Sequence, residues 1–61
     1  MPEKPKNDYK DAYLYSGELE MKLGKYDKAI QMWGFGSRID PTDQRFRKDI
    51  AKAVALKLRK N

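Results

Sequence analysis

Cysteine and histidine are both absent from this chain of 61 residues. Their absence excludes disulfides, thiolate zinc sites, thiol nucleophiles and imidazole bases, and with them most transition-metal chemistry. The remaining residues form neither a Gly-rich phosphate loop nor a paired-carboxylate motif. The sequence therefore predicts a protein that is not an enzyme and that uses no cofactor and no metal.

Long apolar runs are also lacking. No stretch approaches the roughly 18 apolar residues that a transmembrane helix needs, and the first residues lack the apolar core of a signal peptide. Hydrophobic residues make up 39% of the chain and charged residues 38%, a balance typical of a soluble folded domain. We expect a flexible tail over residues 1–7, a single domain over residues 8–61, and a cytoplasmic location.

Charge is distributed unevenly along the chain. Residues 1–43 carry 7 Lys and Arg against 8 Asp and Glu, whereas residues 44–61 carry 7 Lys and Arg against Asp49 alone. A basic segment of this kind is typical of nucleic-acid contact, of an anionic membrane surface, or of the solvated face of a packed helix. Phe46 is the only aromatic residue among these cations, and Asn or Gln base readers are scarce. The solvated face is therefore the favoured interpretation.

Helix-breaking residues divide the chain into three predicted helices, and no strand alternation is present. Gly24 ends the first helix, because glycine adopts a positive φ at a helix C-terminus without steric penalty. Pro41 ends the second, since the residue before proline is displaced from helical geometry. The fold class is accordingly all-α. The predicted helices span about 8–23, 26–39 and 43–60.

Apolar and small residues recur at steps of three and four along each predicted helix, which assigns one face of each to the interior. In the first helix these residues are Tyr9, Ala12, Tyr13, Ser16, Gly17 and Leu19 or Glu20. In the second they are Tyr26, Ala29, Ile30, Trp33 and Ile39. In the third they are Phe46, Ile50, Ala53, Val54 and Leu58. We expect Trp33 to lie in the core.

Five residues of the chain stand in the register of a known helical repeat: Tyr13, Gly17, Ala29, Trp33 and Pro41. The set resembles the helix–turn–helix unit of the tetratricopeptide repeat, which is roughly 34 residues long. The resemblance covers about half of the chain and implies a helical hairpin in which small residues let the two helices approach closely. The third helix is then similar to the capping helix that covers the last unit of a repeat array.

Three positions depart from the pattern of the repeat. Ser16 stands where a leucine is usual, Glu20 where a second aromatic is usual, and Gly36 where an alanine is usual. We expect Glu20 to weaken the packing of the first two helices. For the Gly34-Phe35-Gly36 segment we expect a close backbone contact at Gly36 rather than a hinge or a binding notch at Phe35.

Tetratricopeptide repeats are docking surfaces, so the resemblance implies a protein–protein interaction module that binds a peptide or a partner helix. Its inner face would combine the first and third helices. The Leu14 and Glu18 positions are those at which some family members use Lys and Asn to hold a C-terminal carboxylate, which argues against that ligand. The candidate groove residues are Asp11, Leu14, Glu18, Met21, Arg45, Lys48 and Lys52, with Lys22 beside them.

Other interpretations remain open at the level of sequence. The acids of the first helix and the bases of the third could simply pair with one another, which contributes little to stability. A small basic nucleic-acid-binding domain of three helices is an alternative function, and a structural or designed repeat unit without a ligand is another. A monomer is expected in preference to a homodimer, because the net charge of +5 keeps copies apart.

Overall fold

Three helices make up the computed structural model, which describes residues 8–59. The tail predicted over residues 1–7 lies outside that range. Within it the order is α1 (Asp8–Lys22), α2 (Tyr26–Ile39) and α3 (Gln44–Arg59), and the described residues contain no strand. The all-α prediction is confirmed, and the helix bounds differ from the predicted ones by no more than a residue.

The central helix is α2. It packs against α1 on one side and against α3 on the other, while α1 and α3 make hardly any direct contact. The outer helices therefore have one neighbour each. Because α1 and α3 flank α2 and hardly touch each other, a space remains between them.

Local sequence sets both turns. Gly24 has a φ of 80°, and its N–H bonds the Met21 carbonyl at 3.0 Å while the Lys25 N–H bonds the Glu20 carbonyl at 2.8 Å. This is the Schellman arrangement that satisfies the last carbonyls of a helix. At the start of α3, Asp43 acts as the N-cap, since its Oδ1 accepts the Arg45 backbone N–H at 3.0 Å.

The core lies along α2 and is small. Ala29, Trp33, Phe46 and Ala53 are buried and form one cluster. Trp33 is 2% exposed, and its Nε1 donates a hydrogen bond to the Leu14 carbonyl at 3.1 Å. The expectation of a core Trp33 is thus confirmed, and its indole N–H is satisfied as a buried polar group must be.

Two glycines make this core possible. A Cβ on Gly17 would overlap the indole of Trp33, and a Cβ on Gly36 would overlap the ring of Phe46. The expected close contact at Gly36 is therefore confirmed. No hinge interrupts α2 at Gly34, because the helix runs unbroken to Ile39. Phe35 lies with its ring centroid 5.5 Å from that of Tyr13.

Several residues assigned to the interior lie at the surface, and those assignments were wrong. Tyr9 and Leu58 are both 68% exposed, and Leu19, Ile39 and Val54 are also among the exposed large hydrophobic residues. Ala12 is exposed as well. For the residues of α1 and α3, the physical reason is that an outer helix with one neighbour buries only a narrow face, whereas Ile39 is the last residue of the central helix. The apolar stripe of each outer helix is wider than the contact that α2 offers.

Glu20 is a half-buried residue near the end of α1. Its Oε1 is buried and has no hydrogen-bond partner within the described part of the chain. Burying a carboxylate oxygen without a donor is unfavourable. The expectation that Glu20 weakens the contact between the first two helices stays a prediction.

Candidate functional site

A groove runs between α1 and α3 and has α2 as its base. Its volume is about 290 Å³.

A separate depression of about 390 Å³ lies beside the α1–α2 turn. The groove, called here the α1–α3 groove, is lined by Glu18, Met21, Lys22, Trp33, Asp49 and Lys52.

Helical spacing places these side chains together. Glu18, Met21 and Lys22 follow one another at steps of three and one, so they share a face of α1. Asp49 and Lys52 are three residues apart on the facing side of α3. Trp33 reaches the groove from α2 below. The groove therefore has an apolar floor, made by a methionine and a tryptophan, and a rim of four charged side chains.

The rim charges are not paired with one another. None of the ion pairs between described residues includes Glu18, Lys22, Asp49 or Lys52. The alternative in which acids of α1 pair with bases of α3 is seen at one place among residues 8–59. There Arg45 Nη2 lies 3.0 Å from Asp11 Oδ1. Two carboxylates and two ammonium groups around the groove thus keep their charges available to water or to a ligand.

A cluster of ion pairs ties the start of α1 to the turn before α3. Lys10 Nζ lies 2.6 Å from Asp40 Oδ2 and 2.9 Å from Asp43 Oδ2, and Arg45 Nη2 lies 2.7 Å from Asp43 Oδ2. Hydrogen bonds from Arg45 and then Lys10 hold the pKa of the Asp43 carboxyl well below its usual range. The hydrogen bond from Lys10 likewise lowers the pKa of Asp40. This cluster fixes the far end of the space between α1 and α3.

The residues predicted for the groove fall into three groups. Glu18, Met21 and Lys52 line it. Asp11 and Arg45 form the ion pair that bridges α1 and α3. The other two stand apart from the lining: Leu14 is half-buried against the core, and Lys48 is exposed.

Two lining residues were not among the predicted groove residues. Trp33 was assigned to the core alone, whereas it belongs to the core and also forms the groove floor. Asp49 was noted only as the single acid of a basic segment. Its spacing of three residues from Lys52 was the available signal, because that spacing puts both side chains on one helix face.

The depression beside the α1–α2 turn has a different character. It is lined by residues 24–28 and by Lys57. Lys57 Nζ lies 2.6 Å from Asp27 Oδ1, and both side chains are largely exposed. Tyr26 is its only large apolar lining residue, so it lacks the apolar floor of the α1–α3 groove. It is a weaker candidate for binding.

Residues 8–59 contain no group of three or more acidic side chains placed to hold a metal ion. No helix within them combines the length and apolar character needed to cross a bilayer.

No family model matches the chain, and comparisons with curated proteins and with solved structures also found no match. The resemblance to the tetratricopeptide repeat therefore stays a prediction made from the residues.

Proposed function

We propose that the chain is a protein–protein interaction module of tetratricopeptide-like architecture that binds a peptide or a partner helix in the α1–α3 groove. The observation that carries this proposal is the combination of an apolar floor with a charged rim whose members do not pair among the described residues. Met21 packs against the core cluster and also lines the groove, and together with Trp33 it places apolar surface beneath this rim.

The dimensions of the groove favour a side chain over a whole small molecule. A volume of about 290 Å³ lies at the lower end of the range for pockets that enclose drug-sized ligands. One large apolar side chain fits against Met21 and Trp33, where its burial supplies the attraction. The ligand is therefore a segment with an apolar anchor and charged neighbours.

The rim would set the orientation of that segment. Lys22 and Lys52 offer partners for carboxylates, and Glu18 and Asp49 offer partners for basic side chains. Charges at a rim contribute more to specificity and to the rate of association than to affinity. We infer that the preferred peptide carries both signs of charge around its apolar anchor.

Selection from a library of displayed random peptides tests this function. Enriched peptides should share one large apolar residue flanked by charges. Their affinity should fall at least tenfold for Met21→Glu, which puts a charge on the floor, and Lys52→Glu should change the charge preference. Arg38→Glu is the matched control, because Arg38 is exposed on α2 and lies outside the groove lining. Peptides that bind Met21→Glu as well as the parent protein would contradict the proposal.

Nucleic acid is the competing ligand, and the ion pairs count against it. Arg45 is held by Asp11 and Asp43, and Lys57 contacts Asp27. The number of basic side chains on α3 that could contact phosphates without leaving an ion pair is therefore smaller than the number of basic residues in its sequence. Duplex DNA and RNA should bind weakly and lose affinity steeply as salt rises. Sequence-selective binding that survives physiological salt would replace the peptide proposal.

A further inference from the structure

The outer side of α1 carries a stripe of residues that are exposed in the described part of the chain, apart from one half-buried member. Tyr9 and Leu23 are 68% and 67% exposed, and Leu19 is 42% exposed. The members are uncharged and follow at alternating steps of three and four. We call them the α1 stripe: Tyr9, Ala12, the half-buried Ser16, Leu19 and Leu23, the residue that directly follows α1.

A second stripe with the same spacing lies on the outer side of α3. Its apolar members include Leu58, which is 68% exposed, and Val54, which is 38% exposed. Its single charged member is Arg47. We call these residues the α3 stripe: Gln44, Arg47, Ala51, Val54 and Leu58.

Alternating steps of three and four are the spacing along which two helices pack side by side. Each stripe extends about 21 Å along its helix, at about 1.5 Å per residue. The two stripes are therefore matched in length. They are separate from the α1–α3 groove, because none of their members lines it.

We propose that the partner of these stripes is a second copy of this chain, with the α3 stripe of one copy packed on the α1 stripe of another. Charge decides this pairing. The sequence of α1 contains four acidic and two basic residues, and that of α3 contains six basic residues and one acidic residue. Pairing α3 with α3 brings strongly positive helices together, whereas pairing α1 with α3 joins opposite charges.

Charge also favours an antiparallel arrangement of α3 of one copy against α1 of the other. Glu20 lies beside Leu19 near the end of α1, and Arg47 lies near the start of α3. Antiparallel packing brings Arg47 of one copy close to Glu20 of the other, and Leu58 close to Tyr9. Glu20 is the carboxylate whose Oε1 is buried without a hydrogen-bond partner in the described residues. The side chain as a whole is half-buried, so a guanidinium beside it places an opposite charge next to the carboxylate.

The contact is heterologous, because it joins two different surfaces. Such a contact leaves one stripe open at each end, so association continues into open chains or closes into a ring. The net charge of +5 opposes the approach of copies. Association should therefore increase with protein concentration rather than be complete in dilute solution.

Sedimentation velocity of the full chain over a wide range of protein concentration tests the proposal. The parent protein should form species larger than a dimer as concentration rises. Leu19→Glu blocks the α1 stripe and Leu58→Glu blocks the α3 stripe, so each variant alone should stay monomeric. An equimolar mixture of the two should form heterodimers and nothing larger, since one intact stripe remains on each. Circular dichroism checks that both variants are folded.

Three results would overturn the proposal. One is a parent protein that stays monomeric at every concentration. Another is self-association of either variant alone, which would show an α1–α1 or α3–α3 contact. The third is loss of association in Met21→Glu, which would place the contact in the groove. Because Leu19 and Leu58 lie outside the groove, failure here leaves the peptide-binding proposal intact.

Discussion

Gly34 and Gly36 stand two residues apart in α2 and allow a matched pair of alanine substitutions. A Cβ at Gly34 has no atom within 4 Å to meet, whereas a Cβ at Gly36 would overlap the ring of Phe46. Phe46 is 0% exposed and cannot swing into solvent. We expect Gly34→Ala to stabilise the protein and Gly36→Ala to destabilise it.

The magnitudes follow from two terms. Alanine is favoured over glycine in a helix interior by about 1 kcal/mol, and both variants gain this. Overpacking a core lowers the free energy of unfolding by about 1–3 kcal/mol, and of the two variants only Gly36→Ala overpacks the core. The Gly36→Ala variant should therefore lose roughly 1–2 kcal/mol where the overlap is severe. The free energies of unfolding of the two variants should differ by about 2–3 kcal/mol.

Urea unfolding followed by the fluorescence of the single tryptophan measures this difference. Far-UV circular dichroism on heating gives an independent value, since 1 kcal/mol shifts the Tm of a domain this small by about 4–8 °C. If Gly36→Ala is stabilised as much as Gly34→Ala, then Phe46 does not pack on Gly36. The account of the α2–α3 contact would then be wrong.

Two further predictions concern the core and the ion-pair cluster. Trp33→Ala should lose about 3–5 kcal/mol and leave the chain largely unfolded, as circular dichroism would show, and a folded variant that loses only peptide binding would contradict the core assignment. Because the pKa values of Asp40 and Asp43 are lowered in the folded state, their contribution to stability is present above the unfolded pKa of about 4 and is lost as pH falls below it. Urea unfolding at pH 7 and pH 3 should show that the free energy of unfolding decreases less on acidification in Asp43→Asn than in the parent. Asp27→Asn, which changes an exposed ion pair, should behave like the parent.

The helices and turns could be predicted from the sequence because their signals are local. Gly24 and Pro41 act through their own backbone geometry, which no distant contact needs to supply. The close approach at Gly36 was also predictable, since a glycine inside a helix is unfavourable without a packing reason. These features depend on residues near in sequence, and they appear where the pattern places them.

The exposed stripes could not be predicted in the same way. Periodicity shows that a helix has an apolar face, but it does not show how many neighbours cover that face. Val54 and Leu58 continue the helical spacing of Phe46. They are nevertheless exposed, because α2 covers only the face of α3 that carries the buried Phe46. The width of the contact depends on how three helices are arranged, which is a property of the tertiary structure.

The groove shows why the rim charges stay apart. Since α1 and α3 each pack on α2 and hardly touch, the space between them is floored by Trp33 and Met21 instead of being closed by a direct contact. Side chains on opposite walls are then held apart by the helix between them. Closing the groove would require α1 and α3 to approach, and the contacts of Trp33 with Gly17 and Leu14 oppose that movement. The core that stabilises the fold thus also keeps the groove open to a ligand.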